Sequence, residues 1–303
     1  MILLTGATGF LGSRILAALL KTEYEVVIVK RSFSDTSKIA ENLEHDRLHI
    51  FDIDRDDPRK IFEMYKIKTI IHAATEYGRG ATPVFKILEA NLILPIRLAE
   101  LGIDYGVKCF INTDSFFNKG NSSYSNLLNY SLSKKSLLVW LNQLSKKLKI
   151  INVVLEHIYG PGDDSLKFVE NVIQKIAIEK VGKISLTHGH QKRDFIYVDD
   201  VVEAYLKLVD YANNHDFSFK TFEVGTGESF QIRDFVENVK NISGSQTELC
   251  FGDIEYRSDE IMDSKADISQ LSELSWMPTT SLKSGIEKIL QEYNLKTRNK
   301  NAI

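Results

Sequence analysis

The sequence predicts an α/β fold: a doubly wound parallel sheet with helices on both faces, followed by a smaller α/β C-terminal lobe. Three observations predict it. Short β-branched runs alternate with helical or polar segments through the first half of the 303 residues. A glycine triplet, Gly6, Gly9 and Gly12, follows the first run directly. Beyond about residue 160 the alternation gives way to longer polar stretches. Parallel strands need long crossover connections, usually helices, and these cover both faces of the sheet.

Taken in order, "MILLTG" is the first strand. "FLGSRILAALLKT" is the first helix, because Ile15, Leu16, Leu19 and Leu20 recur at three-to-four spacing. "EVVIVK", "RLHIFDI", "KTIIHAA", "VKCFINT" and "INVVLEHIYG" are the further strands. "ANLILPIRLAELGIDYG" is a crossover helix in which Pro95, lacking an N–H, predicts a late start or a bend. Two amphipathic helices, "SLKFVENVIQKIAIEK" and "QIRDFVENVKNI", belong to the second lobe. The polar connection "KADISQLSELSW" and a last helix, "SLKSGIEKILQEY", complete it.

Composition narrows the function. With 43% hydrophobic and 26% charged residues and a formal net charge of -3, the chain is globular and offers no basic field for nucleic acid. Only "KTRNKNAI" is noticeably cationic, and it reads as a solvated tail. No run approaches the roughly 18 apolar residues of a membrane span. "MILLTG" opens as a strand rather than a cationic leader, so a cytoplasmic location is expected. Cys109 and Cys250 form no CxxC or CxxH pair and read as small apolar residues in reducing surroundings. His188 and His190 alternate in a turn, a weak metal signal, and no metal is expected.

The glycine triplet carries the first chemical inference. Gly6 permits a tight turn, Gly9 lets backbone approach a pyrophosphate, and Gly12 allows a helix to pack closely on the strand. The helix then presents free N–H groups and a partial positive charge to phosphate. Strand, triplet and periodic helix together are the context a dinucleotide site requires. At the end of the second strand an NAD site would place Asp or Glu against the ribose 2′-hydroxyl. This sequence has Lys30-Arg31-Ser32, and a guanidinium pairs with a 2′-phosphate that a carboxylate would repel, so NADP(H) is the expected cofactor. Asp52, closing "HIFD", is a candidate acceptor for the adenine amino group or a cap.

The second inference is catalytic. "NYSLSKKSLLVWLNQL" sets Tyr130 and Lys134 four apart on one helix face. An ammonium beside a phenol favours the phenolate, so Lys134 is expected to pull the Tyr130 pKa down toward the working pH. Tyr130 then becomes a proton donor to a carbonyl oxygen during reduction and an acceptor in reverse.

With a hydroxyl, Thr113, at the end of the fifth strand, these features resemble the extended short-chain dehydrogenase/reductases, the NAD-dependent epimerase/dehydratase family. "IIHAAT", Asn91, "YGPGD", "RDFIYVDDVVEAY" and "FEVGTGESFQIRDF" extend the resemblance over nearly the whole chain. It implies a Rossmann-type NADP-binding domain over 1–155 with about 196–215, a sugar-nucleotide lobe over 156–195 and 216–303, and commonly a homodimer. It also implies that Thr8, Phe10, Leu11, Ile53, Ala73, Ala74 and Asn91 line the cofactor site. Lys134 would hold the nicotinamide ribose, and His157 the diphosphate or the nicotinamide amide.

The family's 4,6-dehydratase branch reads Thr-Asp-Glu where this chain reads Thr113-Asp114-Ser115. Serine without an activating partner cannot serve as that base, so dehydration is disfavoured and hydride chemistry remains. Asp114, Ser115 and Phe116 are expected to contact the sugar, while Arg193 and Arg257 clamp the diphosphate in the bidentate geometry that suits arginine. "ATEYG", "NTDSFF", "LEHIYGPGD", "RDFIYVDDVVEAY" and "DEIMDSKAD" resemble members that reduce a CDP-linked 4-keto-3,6-dideoxyhexose for surface polysaccharide such as O-antigen. A dTDP-4-keto-6-deoxyhexose reductase, a nucleotide-sugar 4-epimerase and a non-catalytic NADP sensor are the alternatives.

Overall fold

The computed structural model describes residues 1–80, 82–119 and 127–300, with side chains to residue 295, so the whole cationic tail lies outside the described side chains. The chain begins with β1 (Ile2–Thr5), α1 (Phe10–Leu20), β2 (Val26–Lys30), β3 (Leu48–Asp52), α2 (Arg59–Met64) and β4 (Thr69–His72). It continues with α3 (Val84–Leu88), α4 (Leu94–Asp104), β5 (Cys109–Ser115), α5 (Leu128–Leu144) and β6 (Lys149–Leu155). Then come β7 (His157–Tyr159), α6 (Phe168–Ile173), β8 (Lys183–Leu186), β9 (Lys192–Arg193), β10 (Phe195–Tyr197), α7 (Val198–Asn214) and β11 (Phe219–Val224). β12 (Phe230–Gln231), α8 (Ile232–Ser243), β13 (Glu248–Phe251), β14 (Asp263–Ser264), α9 (Ser269–Glu273) and α10 (Leu282–Lys300) complete it. Two compact units result: Met1–Leu155 with Val202–Glu223, and Glu156–Val201 with Val224–Ile303.

The first unit is built on a seven-stranded sheet in the order β11-β6-β5-β4-β1-β2-β3. From β3 to β6 every neighbouring pair is parallel. The order 3-2-1-4-5-6 reverses direction between β1 and β4, which opens a crevice at the carboxyl ends of those strands. The strands are apolar on both faces because helices cover both. Leu3, Val27, Ile70, Phe110 and Ile150 pack with Leu98, Leu137 and Leu141. β11 joins the outer edge of the sheet, so the returning segment of this unit runs through Glu223.

One segment differs from its sequence reading. "INVVLEHIYG" is two strands rather than one: β6 ends at Leu155, and the Glu156 N–H turns to Val224 O at 3.0 Å. β7 then pairs with β10 instead. At Pro95 the α-helix proper starts late in the run, at Leu94, with the proline in its first turn. A π-helical segment, Glu89–Ile93, joins α3 to α4 immediately before it. Pro95 cannot donate to the carbonyl four residues back and its ring crowds that carbonyl; one widened turn removes both problems.

The second unit carries small sheets, β10-β7, β12-β9-β14 and β13-β8. Its core gathers Tyr159, Phe195, Phe235, Ile286 and Ile289. α8 stops at Gly244, whose φ of 63° is the left-handed conformation that glycine adopts without steric cost.

Candidate active site

The crevice between β1 and β4 is shaped by missing side chains. Gly6 has a φ of 74°, and a Cβ there would sit 2.5 Å from Ala74 N. A Cβ on Gly12 would sit 2.0 Å from Gly6 O, so any side chain would push α1 off the strand. Gly9 caps α1, its N–H on Gly6 O at 2.9 Å, and stands exposed at the helix mouth. Thr8 and Phe10 flank it half-buried, while Leu11 turns into the core. Ala73 and Ala74 line the other side. Thr5 Oγ1 accepts the Ala74 N–H at 3.3 Å and meets His72 Nδ1 at 2.8 Å, which fixes that loop. Close-approaching backbone at a helix N-terminus suits a pyrophosphate.

The ends of β2 and β3 form a charged cluster. Asp52 accepts from Ser32 Oγ at 2.8 Å and lies 3.7 Å from Lys30 Nζ and 3.6 Å from Arg55 Nε. The Ser32 hydroxyl first, then the Asp54 N–H and these cations, hold its carboxyl below the usual range. Asp52 is thus occupied by its own neighbours, and Lys30 is largely neutralised by it. Ile53, half-buried, continues the strand with its N–H on Lys30 O at 3.0 Å. Arg31 differs: among the described residues its guanidinium has no ion pair and lies 5.9 Å from the centre of the Phe33 ring, itself 78% exposed.

At the end of β5 the catalytic candidates come together. Lys134, on α5 and 1% exposed, donates from Nζ to Thr113 O at 2.8 Å. Burial pulls its ammonium down to about 8, with Asp114 opposing. Tyr130, one turn earlier, is buried against Tyr77, stacked at 5.0 Å, and Phe117, edge-on at 6.3 Å. Phe116 packs on Phe117 at 4.0 Å and is itself buried. The expected lowering of the Tyr130 pKa by Lys134 is absent from this state. Burial, then Tyr77, pushes the phenol well up, and only the neighbouring Ser115 side chain opposes it. The ammonium is spent on the Thr113 carbonyl instead.

Two further expectations change. Asp114 points inward rather than toward a sugar, taking Asn118 Nδ2 at 2.7 Å, Ser115 N at 2.8 Å and Asn152 Nδ2 at 3.0 Å. Burial nevertheless raises its carboxyl pKa. Asn91, in the widened turn and wholly buried, spends its amide internally. It donates to Glu76 O at 2.8 Å and Ser133 Oγ at 3.0 Å, and accepts from Glu76 N at 2.7 Å. Both residues brace the site's loops.

The second unit holds the remaining candidates. Arg193 is 5% exposed and fully engaged: Nη2 pairs with Glu260, and Nη1 donates to Lys192 O at 2.8 Å and to Ile261 O. Arg257 is exposed, in the turn whose carbonyl takes the Glu260 N–H at 3.2 Å. His157 lies edge-on to Phe195 at 5.9 Å, and burial, then Arg193 and Lys167, hold its imidazole neutral. His188 and His190 stack at 6.2 Å, and among the described residues no group of three metal-ligating side chains forms. No described helix is long and apolar enough to cross a membrane.

Sequence reasoning missed Tyr77, Tyr205 and the Asn118–Asn152 support of Asp114. Tyr205 on α7 meets Thr113 Oγ1 at 2.6 Å. Its signal was a phenol inside an otherwise apolar helical stripe; the asparagines gave none.

Comparison with known proteins identifies the family. The chain is 36% identical over 296 residues to the CDP-abequose synthase of Salmonella muenchen, covering 95% of this chain and 96% of that one. It is 34% identical over 298 residues to the CDP-abequose synthase of Salmonella typhimurium, covering 96% and 97%. In fold it is similar to the UDP-glucose 4-epimerase of Thermotoga maritima, with a TM-score of 0.81 at 24% identity over 98% of this chain and 99% of that one. Residues 2–225 match the NAD dependent epimerase/dehydratase family, and the chain belongs to that family of enzymes.

Proposed function

We propose that the protein reduces the 4-keto group of a nucleotide-activated 4-keto-deoxyhexose with NADPH, converting a CDP-4-keto-3,6-dideoxyhexose to a CDP-abequose-type product for O-antigen or other surface polysaccharide. The observation that carries this is the convergence of Thr113, Tyr130 and Lys134 at the end of β5, with the Lys134 ammonium on the Thr113 carbonyl at 2.8 Å. The first unit would take the cofactor, and the second the nucleotide sugar. Likeness to the two Salmonella enzymes supports the choice of substrate class.

When bound, the dihydronicotinamide supplies a hydride to carbon 4. The protein's own groups manage the oxygen. Thr113 donates a hydrogen bond to the carbonyl oxygen and orients it. Tyr130, which burial keeps protonated, hands its proton to the developing alkoxide. Lys134 adds positive charge where negative charge grows. Ser115, in place of a carboxylate, offers no base for dehydration. Arg31, without an internal ion pair among the described residues, is the group to meet a 2′-phosphate, which favours NADPH over NADH. Arg193 would serve as a diphosphate clamp only after exchanging Glu260 for the ligand, leaving Arg257 as the more accessible cation.

A cytoplasmic homodimer completes the reading. Leu132, Val139 and Trp140 stand 52%, 70% and 53% exposed on α5, an apolar face suited to a second copy; light scattering tests this. The test of function is incubation with NADPH or NADH and either CDP-4-keto-3,6-dideoxyglucose or dTDP-4-keto-6-deoxyglucose. Oxidation of NADPH with the CDP sugar, and an axial 4-hydroxyl in the product by NMR, are expected. Faster turnover of the dTDP sugar would move the assignment to that reductase. Interconversion of UDP-sugars without net oxidation would make it an epimerase, and binding without turnover an NADP sensor.

A further inference from the structure

We infer that Tyr205 is a positioning residue, one that fixes the Thr113 hydroxyl as a hydrogen-bond donor toward the reacting oxygen of the substrate. The inference rests on the reductase reading above.

Tyr205 lies on the stripe of α7 formed by Val201, Ala204, Leu208, Val209 and Ala212, all buried, and is itself 0% exposed. A phenylalanine would fill such a stripe equally well, and a buried hydroxyl is tolerated there only with a partner. Its partner is Thr113 Oγ1 at 2.6 Å. Thr113 is also the one residue of β5 that is not buried, so its hydroxyl has an inner side facing Tyr205 and an outer side left open. The carbonyl of the same residue is held by Lys134 Nζ. Thr113 is therefore gripped through both its backbone and its side chain.

The polarity of the Thr113–Tyr205 bond decides what the open side can do. Each hydroxyl has one proton and can also accept. A phenol is more acidic than an alkyl alcohol, so Tyr205 donates and Thr113 accepts. Burial keeps the Tyr205 phenol protonated, its pKa pushed up against the opposing effect of the Thr113 bond. With its inward lone pair filled, Thr113 keeps its proton for a third atom on the open side. In the reverse polarity that proton would be consumed inside the protein, and Thr113 could only accept, which is useless to a carbonyl oxygen.

The test is a double-mutant cycle with Tyr205→Phe, Thr113→Val and the double variant. Tyr205→Phe keeps the ring, so circular dichroism and melting should stay near wild type while kcat falls about tenfold or more and KM changes little. Thr113→Val should fall at least as far, and the double variant no further than Thr113→Val alone. Thr113→Ser, which keeps the hydroxyl, should retain the sensitivity to Tyr205→Phe. An unchanged kcat in Tyr205→Phe, or losses that multiply in the double variant, would overturn the inference. Wild-type turnover is scored separately: absence of turnover with every ketosugar rejects the reductase reading instead. In that event calorimetric affinity for the CDP ketosugar is measured in the same four proteins, and non-additive losses support Tyr205 while additive or absent ones reject it.

Discussion

The two units each bury a cation, and they treat it oppositely. In the second unit the Arg193 guanidinium meets a carboxylate and two carbonyls. In the first, the Lys134 ammonium has, among the described residues, one hydrogen bond, to a neutral carbonyl, and Asp114 acts on it only through space. Taking a charge out of water costs several kcal/mol, and only good partners offset that. Arg193 is compensated and holds structure, tying β9 to the segment that carries Glu260. Lys134 is left under-compensated, its pKa about 8. Under-compensated buried charges of this kind cluster at functional sites.

Four measurements would break or sharpen the contrast. The largest effect is expected at the reacting groups: Tyr130→Phe or Lys134→Met should lower kcat by about 10²–10⁴, the range for a positioned proton donor, with the fold intact by circular dichroism. Retained turnover in either variant would end the reductase mechanism. Next, Arg193→Met strands Glu260 and should lower urea-measured stability by about 3 kcal/mol. Lys134→Met strands only a carbonyl and should lose less, so equal losses would erase the distinction between the two cations.

Third, Arg31→Ser should cut the preference for NADPH over NADH by about tenfold, as loss of one charge-assisted pair implies. Lys30→Ser should matter less, because Asp52 already engages Lys30; the reverse order would assign the 2′-phosphate to Lys30. The smallest effect is one of pH. In the proposed mechanism the ammonium is the active form, so kcat/KM should fall as pH rises through about 8. Lys134→Arg, charged throughout, should move that limb upward. Stability responds with the opposite sign. The unfolded lysine keeps its proton to about 10.4, so between pH 8 and there the unfolded state binds more protons and the Lys134 contribution grows with pH. Lys134→Met, compared with wild type by denaturant titration, should lack that slope.

Much of this was legible in the sequence where local rules suffice. Strand–glycine–helix order, the apolar runs and the four-residue spacing of Tyr130 and Lys134 depend on neighbours along the chain. The break at Glu156 was not legible, because it is set by a hydrogen bond to Val224, far away in sequence. Nor was the direction of the Tyr130 pKa, which depends on where the Lys134 ammonium spends its proton and on how deeply the phenol is buried. Asp114 read as a sugar contact because residue type says nothing of which way a carboxylate turns at a strand end. Arg193 read as a clamp for the same reason: its carboxylate partner lies 67 positions along the chain.

The widened turn at Glu89–Ile93 amounts to one residue more than an α-helix needs there. Deleting a single residue from it would restore ordinary winding, keep the flanking helices in register and draw in the turn that carries Asn91. Asn91 could then no longer reach both the Glu76 loop and Ser133, whose hydroxyl donates to the carbonyl of Tyr130. The bracing of α5 thus depends on an irregularity that shortening the chain by one residue would erase.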